Sequence, residues 1–192
     1  FRSPAYDTGL LCGGTLEVFV EPILPTPTVY IFGAGHVSQA LSKVAVMAGF
    51  ETIVIDDRET YANRERFPEA REVIAGDFDE VCVKLEPNSS SYLIAVTRGH
   101  KDDMRVLRWA VGTEAKYVGM IGSKRKIRTI ADALIHEGIP EERLESVHMP
   151  IGLDIGAVTP EEIAVAIVAE AIQIRRMGFK HPLSKKLFQS TL

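Results

Sequence analysis

Cysteine is scarce in this 192-residue chain: only Cys12 and Cys82, 70 positions apart. With no C-x-x-C pair and no Cys/His cluster, neither a structural zinc site nor a disulfide framework is expected, and no metal ligands are assigned. A reducing, cytoplasmic setting follows. Long hydrophobic runs are missing too. The longest, Ile163 to Ala169, falls far short of the ~20 residues that span a bilayer, so no membrane role is expected. Positive charge is not in excess either: the net charge is -4, which argues against a nucleic-acid partner, because neutralising phosphates takes a basic surface. Fifteen glycines and ten prolines are ordinary and exclude collagen-like and low-complexity chains. The chain begins at Phe1, not methionine, and residues 1–11 hold no apolar signal core, so an upstream segment is expected. What is present, 46% hydrophobic and 25% charged residues, is average for a folded soluble domain.

The order of elements is more informative. Leu16, Val18 and Val20 alternate with Glu17, Phe19 and Glu21, a period of two that predicts a half-buried edge strand over 15–21. Pro22, Pro25 and Pro27 then mark a boundary. Beyond it, apolar runs without alternation predict strands covered on both faces at Val29–Phe32, Thr52–Ile55, Glu72–Ala75, Tyr92–Val96 and Lys116–Ile121. Between them, helical spacing predicts helices at Ala34–Ala48, Asp102–Val111 and Lys124–His136, with a short charged helix or loop at 59–67. Thr159-Pro160-Glu161-Glu162 forms a capping box for a last helix running to Met177. Strand and helix alternating at this rhythm predict one α/β domain with a doubly wound parallel sheet, Rossmann-like, over 28–192, and a strand extension within 1–27.

Gly33-Ala34-Gly35-His36-Val37-Ser38 follows a strand and opens a helix, the arrangement that brings a phosphate to backbone N–H groups. Ser38 stands where the third glycine of G-x-G-x-x-G is usual. Asp56 lies 21 residues past Gly35, where an acid meets ribose hydroxyls. This register motivates an NAD-dependent oxidoreductase as one reading, Asp56 favouring NAD by repelling a 2′-phosphate. Two further loops end strands: Thr97-Arg98-Gly99-His100, and Gly119 to Arg125, where Ser123 is an N-cap and Lys124, Arg125 and Arg128 supply positive charge. The latter reads as an anion site or as a solvated basic helix face. Pro150 to Ala157 is expected to close over the same crevice. His36 and His100 are candidates to reach one ligand, although singly each reads as a capping or surface histidine. Cys12, beside Gly13 and Gly14, is either a reactive loop thiol that carries sulfur or ligates a soft metal, or incidental; Cys82 reads as buried. Asp56, Asp77, Asp102 and Asp103 lack the spacing of paired acid/base or metal chemistry. No H-E-x-x-H, nucleophile elbow or P-loop is present.

Taken together, CGGTLEVFVEP, VYIFGAGHVSQAL, VIDDRETYANRERFPEA, TRGHKDD, YVGMIGSKRK and PIGLDIGAVTPEEIAVAIVAE resemble the XdhC/CoxI family of xanthine dehydrogenase accessory proteins. The resemblance covers about residues 12–179 and makes 1–27 a remnant of that family's N-terminal region. It implies a Rossmann-type domain not used as a dehydrogenase, in an accessory protein more than a catalyst. Its members bind the molybdenum cofactor in its molybdopterin form, assist its sulfuration with a cysteine desulfurase, deliver it to xanthine dehydrogenase-type apoenzymes, and are typically homodimers. Carried over by position, the cofactor phosphate lies near Gly33, Ala34, Gly35 and His36. Arg98, His100, Gly122, Ser123 and Lys124 flank it, and Cys12 contacts molybdenum or the transferred sulfur. A docking protein with a vestigial nucleotide site is a third reading.

Overall fold

The structure is a computed structural model and describes residues 17–20 and 25–177. Five strands, β1 (Thr28–Phe32), β2 (Glu51–Asp56), β3 (Glu72–Ala75), β4 (Ser91–Ala95) and β5 (Tyr117–Met120), form one parallel sheet in the order β3-β2-β1-β4-β5. Among the described residues six helices connect or cover them: α1 (His36–Met47), α2 (Phe78–Cys82), α3 (His100–Ala110), α4 (Lys124–His136), α5 (Glu141–Glu145) and α6 (Pro160–Met177). Among the described residues no helix is long and apolar enough to cross a membrane.

The unbroken apolar runs have the expected cause. Val29 and Ile31 point to one face of the sheet, against Leu41 and Ala45 of α1 and Ala164, Ile167 and Ile174 of α6. Phe32 points to the other, with Ile55, Leu93 and Ala95, and meets Leu107 of α3 and Ile127, Ile130 and Leu134 of α4. Both faces are dry, so neither needs polar alternation. Because β1 leads to α1 on one face and β4 to α3 on the other, the two winding directions part between adjacent strands.

One local expectation is corrected. Over 15–21 the described part, residues 17–20, forms no strand, and Phe19 is 89% exposed. Alternation alone supplies neither a ladder partner nor an apolar surface to cover. Residues 59–67 adopt turns, the loop of the two expected alternatives. The five-residue α2 and α5 were not anticipated. Asp77 caps α2, its Oδ1 accepting from the N–H groups of Asp79 and Glu80 at 2.9 and 3.4 Å. Beyond β5, residues 148–151 run alongside the edge: His148 N–H donates to Val118 O at 2.8 Å, and Ile151 N–H to Met120 O at 3.1 Å. This docking brings the 150–157 loop to the carboxyl end of the sheet.

Candidate ligand-binding site

In an open parallel sheet the binding crevice lies beyond the carboxyl ends of the strands where winding reverses, here between β1 and β4. Gly33 leaves β1 at φ 110° and donates its N–H to Ile55 O at 2.7 Å. A Cβ there would stand 2.5 Å from Val96 O, so the turn is pressed against the chain leaving β4 and admits only glycine. Gly35 is the N-cap of α1 and Gly99 the N-cap of α3; no side chain caps either helix. A Cβ on either glycine would meet nothing within 4 Å. Two helix ends without a capping side chain therefore begin from adjacent strands with room above their backbones; the α1 end, with no acid in its first turn, suits an anion, while α3 carries Asp102 and Asp103 in its own first turn. His36 and His100 are the first residues of these helices and both are exposed.

The second loop is fixed from below. Asp103 is fully buried, and its Oδ1 accepts the Thr97 N–H at 3.0 Å and lies 2.8 Å from the Thr97 hydroxyl. The Lys126 ammonium pairs with the same carboxylate and donates to Ile121 O at 3.1 Å, tying the start of α4 to the loop after β4. The Arg98 guanidinium extends to Asp57, with Nη2 2.9 Å from Oδ2.

Asp56 departs most from its expected setting. Its carboxylate is buried, and every contact it makes is internal. Oδ2 accepts the Ala34 N–H at 2.7 Å, Oδ1 accepts the Arg58 N–H at 3.0 Å, and the Arg58 guanidinium closes on both oxygens at 2.8 and 2.9 Å. Burial pushes the carboxyl up, but the Arg58 and Ala34 hydrogen bonds outweigh it and hold it below the usual range. Arg58 also stacks on Tyr61, 3.7 Å from the ring centroid, and Arg66 donates to Ala34 O at 3.2 Å. Asp56 thus braces the glycine loop, and a ribose hydroxyl reaches it only by displacing Arg58. The sequence carries the signal for this, an arginine two residues after the acid.

The expected convergence of the remaining loops is present but displaced from the glycine loop. Gly122, Ser123 and Lys124 face residues 150–157 across a cleft of about 910 Å³, floored by Ile163 and Ala166; Gly33–His36 are not among its lining residues. Ser123 caps α4, accepting the Lys126 N–H at 3.3 Å. The predicted residues therefore divide into two groups: Gly33, Ala34, Gly35, His36, Arg98 and His100 around the β1–β4 crevice, and Gly122, Ser123 and Lys124 in the cleft beyond β5. Cys12 lies outside the described residues. Cys82 is buried, its thiol pushed up to about 12 by desolvation.

One buried cluster had no sequence signal. Glu170 of α6 accepts the Tyr117 hydroxyl at 2.5 Å and the Gly152 N–H at 2.8 Å through Oε2, and its Oε1 lies 3.0 Å from His148 Nδ1. Burial raises the Glu170 carboxyl, yet His148 and Tyr117 bring it below its ordinary value; burial and the adjacent carboxylate push the Tyr117 hydroxyl well up. Gly152, at φ 92°, packs so closely on α6 that a Cβ would lie 3.2 Å from the backbone of Ala166 and Ile167. Glu170 thereby pins one wall of the cleft to the helix behind it.

The described geometry has clear relatives. The pattern of the XdhC Rossmann domain matches residues 29–171. An uncharacterised Escherichia coli protein, YqeB, is 30% identical over 91% of this chain and 32% of its own length. A probable xanthine dehydrogenase subunit from Bacillus subtilis is 28% identical over 84% of this chain and 47% of its own. A crystal structure described as a xanthine dehydrogenase from Bacillus halodurans superimposes with a TM-score of 0.71 at 32% identity, covering 81% of this chain and 44% of that one. The chain thus spans half or less of each relative's length. With the family pattern covering most of its residues and the five-stranded doubly wound sheet in place, the chain belongs to the XdhC family through its Rossmann domain.

Proposed function

We propose that this chain is the cargo-holding Rossmann part of a xanthine dehydrogenase accessory protein, and that its cargo is the molybdenum cofactor in its molybdopterin form. The observation that carries this reading is the pairing of the uncapped, glycine-led end of α1 with an Asp56 that Arg58 has already filled. The first feature suits a phosphate; the second removes the ribose acceptor on which a dinucleotide relies. A cradle for phosphate without a ribose acceptor is what a carrier of a phosphate-bearing, non-dinucleotide cargo requires. The names borne by the Bacillus relatives support a xanthine dehydrogenase-type apoenzyme as the recipient. A cysteine desulfurase as sulfur donor, Cys12 as the contact for sulfur or molybdenum, and a cytoplasmic homodimer complete the reading.

The test is anaerobic binding of the pterin cofactor to wild type and Cys12→Ala, with NADH at millimolar concentration as the competing ligand. Cofactor binding without NADH binding is expected. Binding of NADH alone supports the oxidoreductase, and binding of neither supports the docking protein. Unchanged cofactor binding and sulfuration in Cys12→Ala removes that cysteine from the account.

A further inference from the structure

Arg98 and Asp57 meet across the end of β1. Asp57 follows β2 and Arg98 follows β4, and β1 lies between those strands. The register puts Ile55 and Ala95 level with Phe32, so Asp57 and Arg98 both stand just beyond the level of Gly33. Two strand spacings, about 10 Å, separate their backbones. The long arginine side chain and the short aspartate close that gap from opposite sides, Nη2 to Oδ2 at 2.9 Å. The ion pair is therefore a strap across the turn that leads from β1 to the open end of α1.

The strap is built to open at one side chain. The backbone on either side of Arg98 is held: the Thr97 N–H donates to Asp103, and the Thr97 hydroxyl lies 3.0 Å from Gly99 O. The Arg98 side chain itself is 55% exposed and that of Asp57 33%, and ion pairs so open to water hold weakly. Release does not strand Asp57, because Arg58 Nε stands 3.7 Å from its Oδ1. Among the described residues Asp57 is the only acid that Arg98 meets. Arg98 is thus a cation beside the glycine loop whose anion is exchangeable.

We propose that Asp57 is a built-in competitor for the anion site at α1. It occupies Arg98 until a ligand enters, and an entering phosphate takes Arg98 over. A carboxylate ligand offers the guanidinium no more than Asp57 already gives. A phosphate brings more negative charge and more acceptor oxygens, so it displaces Asp57. The exchange moves one side chain and leaves the loop in place. That a phosphate binds at α1 rests on the function proposed above; the strap and its exchangeable partner do not.

The probe is inorganic pyrophosphate, titrated by calorimetry at low salt into wild type, Asp57→Asn, Arg98→Ala and the double variant. Asp57→Asn is expected to tighten binding about threefold, and Arg98→Ala to weaken it about tenfold. In the Arg98→Ala background Asp57→Asn is expected to change nothing, because Asp57 acts through Arg98. Effects of the same sign in the two single variants mark the pair as merely structural. An undiminished gain from Asp57→Asn in the absence of Arg98 marks a general field effect. Either result overturns the proposal, as does a failure of Asp57→Asn to bind pyrophosphate at millimolar concentration. If the pterin cofactor binds wild type and is weakened by Gly35→Ala, while Asp57→Asn and Arg98→Ala alter neither ligand, the strap is refuted and the proposed function stands. If the cofactor does not bind while pyrophosphate follows the expected pattern, the strap stands and the cargo reading fails.

Discussion

The Arg58 guanidinium lies along the Asp56 carboxylate, Nε 2.8 Å from Oδ1 and Nη2 2.9 Å from Oδ2. A pair of this geometry is strong because both donors and both acceptors are aligned. Its place at the end of β2 makes it decisive for what the crevice accepts.

Removing the guanidinium leaves a buried carboxylate with only backbone donors. Arg58→Ala is expected to cost about 3 kcal/mol, the lower end for breaking a buried pair, because Arg58 itself keeps a quarter of its side-chain surface exposed. The pH dependence has a definite sign. Asp56 is held below its ordinary value in the fold. Its contribution is therefore complete above the usual carboxylate pKa near ~4 and is lost as pH falls through the depressed value. In urea titrations, Asp56→Asn is expected to be clearly less stable than wild type at neutral pH, with the gap narrowing below about pH 4.

Gly33 and Gly35 separate folding from binding. Gly33→Ala meets Val96 O at a backbone φ that alanine avoids and is expected to destabilise by about 2–4 kcal/mol. Gly35 has φ -77° and open space at its Cβ position. Gly35→Ala is expected to keep stability within about 1 kcal/mol while weakening a phosphate-bearing ligand, because the added methyl occupies the approach to the backbone. Equal losses of stability in the two variants would contradict this division.

Glu170 is a positioning residue for the cleft wall. Tyr117→Phe removes one donor and is expected to cost about 1 kcal/mol. Glu170→Gln replaces a charged acceptor among three donors and is expected to cost about 2 kcal/mol. Beyond stability, hydrogen exchange at the Gly152 amide is expected to accelerate in Glu170→Gln more than at core strand amides such as Ile31. A uniform change across the chain would indicate only general destabilisation.

Cys82 is predicted to be chemically silent. With its thiol pushed up to about 12 by burial, the thiolate is about one part in ten thousand at pH 8. In a Cys12→Ser variant, which leaves Cys82 as the sole thiol, alkylation at pH 8 is expected only after unfolding. Native labelling would show that the α2 region opens readily.

The sheet was legible because its signals are local. Val29–Phe32 and Thr52–Ile55 are short runs with no polar alternation, and Gly33 and Gly35 punctuate the passage from β1 to α1. The capping box at Thr159 likewise reads directly, its hydroxyl accepting the Glu162 N–H at 3.2 Å. Harder to read was anything depending on which partner a polar group finds. Asp56 has the right position for a ribose, and only the folded chain shows Arg58 in that place. Tyr117, His148 and Glu170 lie up to 53 residues apart and share no motif, so their cluster exists only through the packing of α6 on the sheet. The alternation misled over the described residues 17–20 for a related reason: a period of two describes a strand only where a neighbouring strand pairs with it.

The central claim is that the bare end of α1 holds the phosphate of a cargo that is not a dinucleotide. Its most direct test is an anaerobic calorimetric titration of the pterin cofactor into wild type and Gly35→Ala, with NADH in parallel. The account predicts cofactor binding to wild type, at least about tenfold weaker binding to the folded variant, and no NADH binding at millimolar concentration. Cofactor binding unaffected by Gly35→Ala, or NADH binding in place of the cofactor, would contradict it.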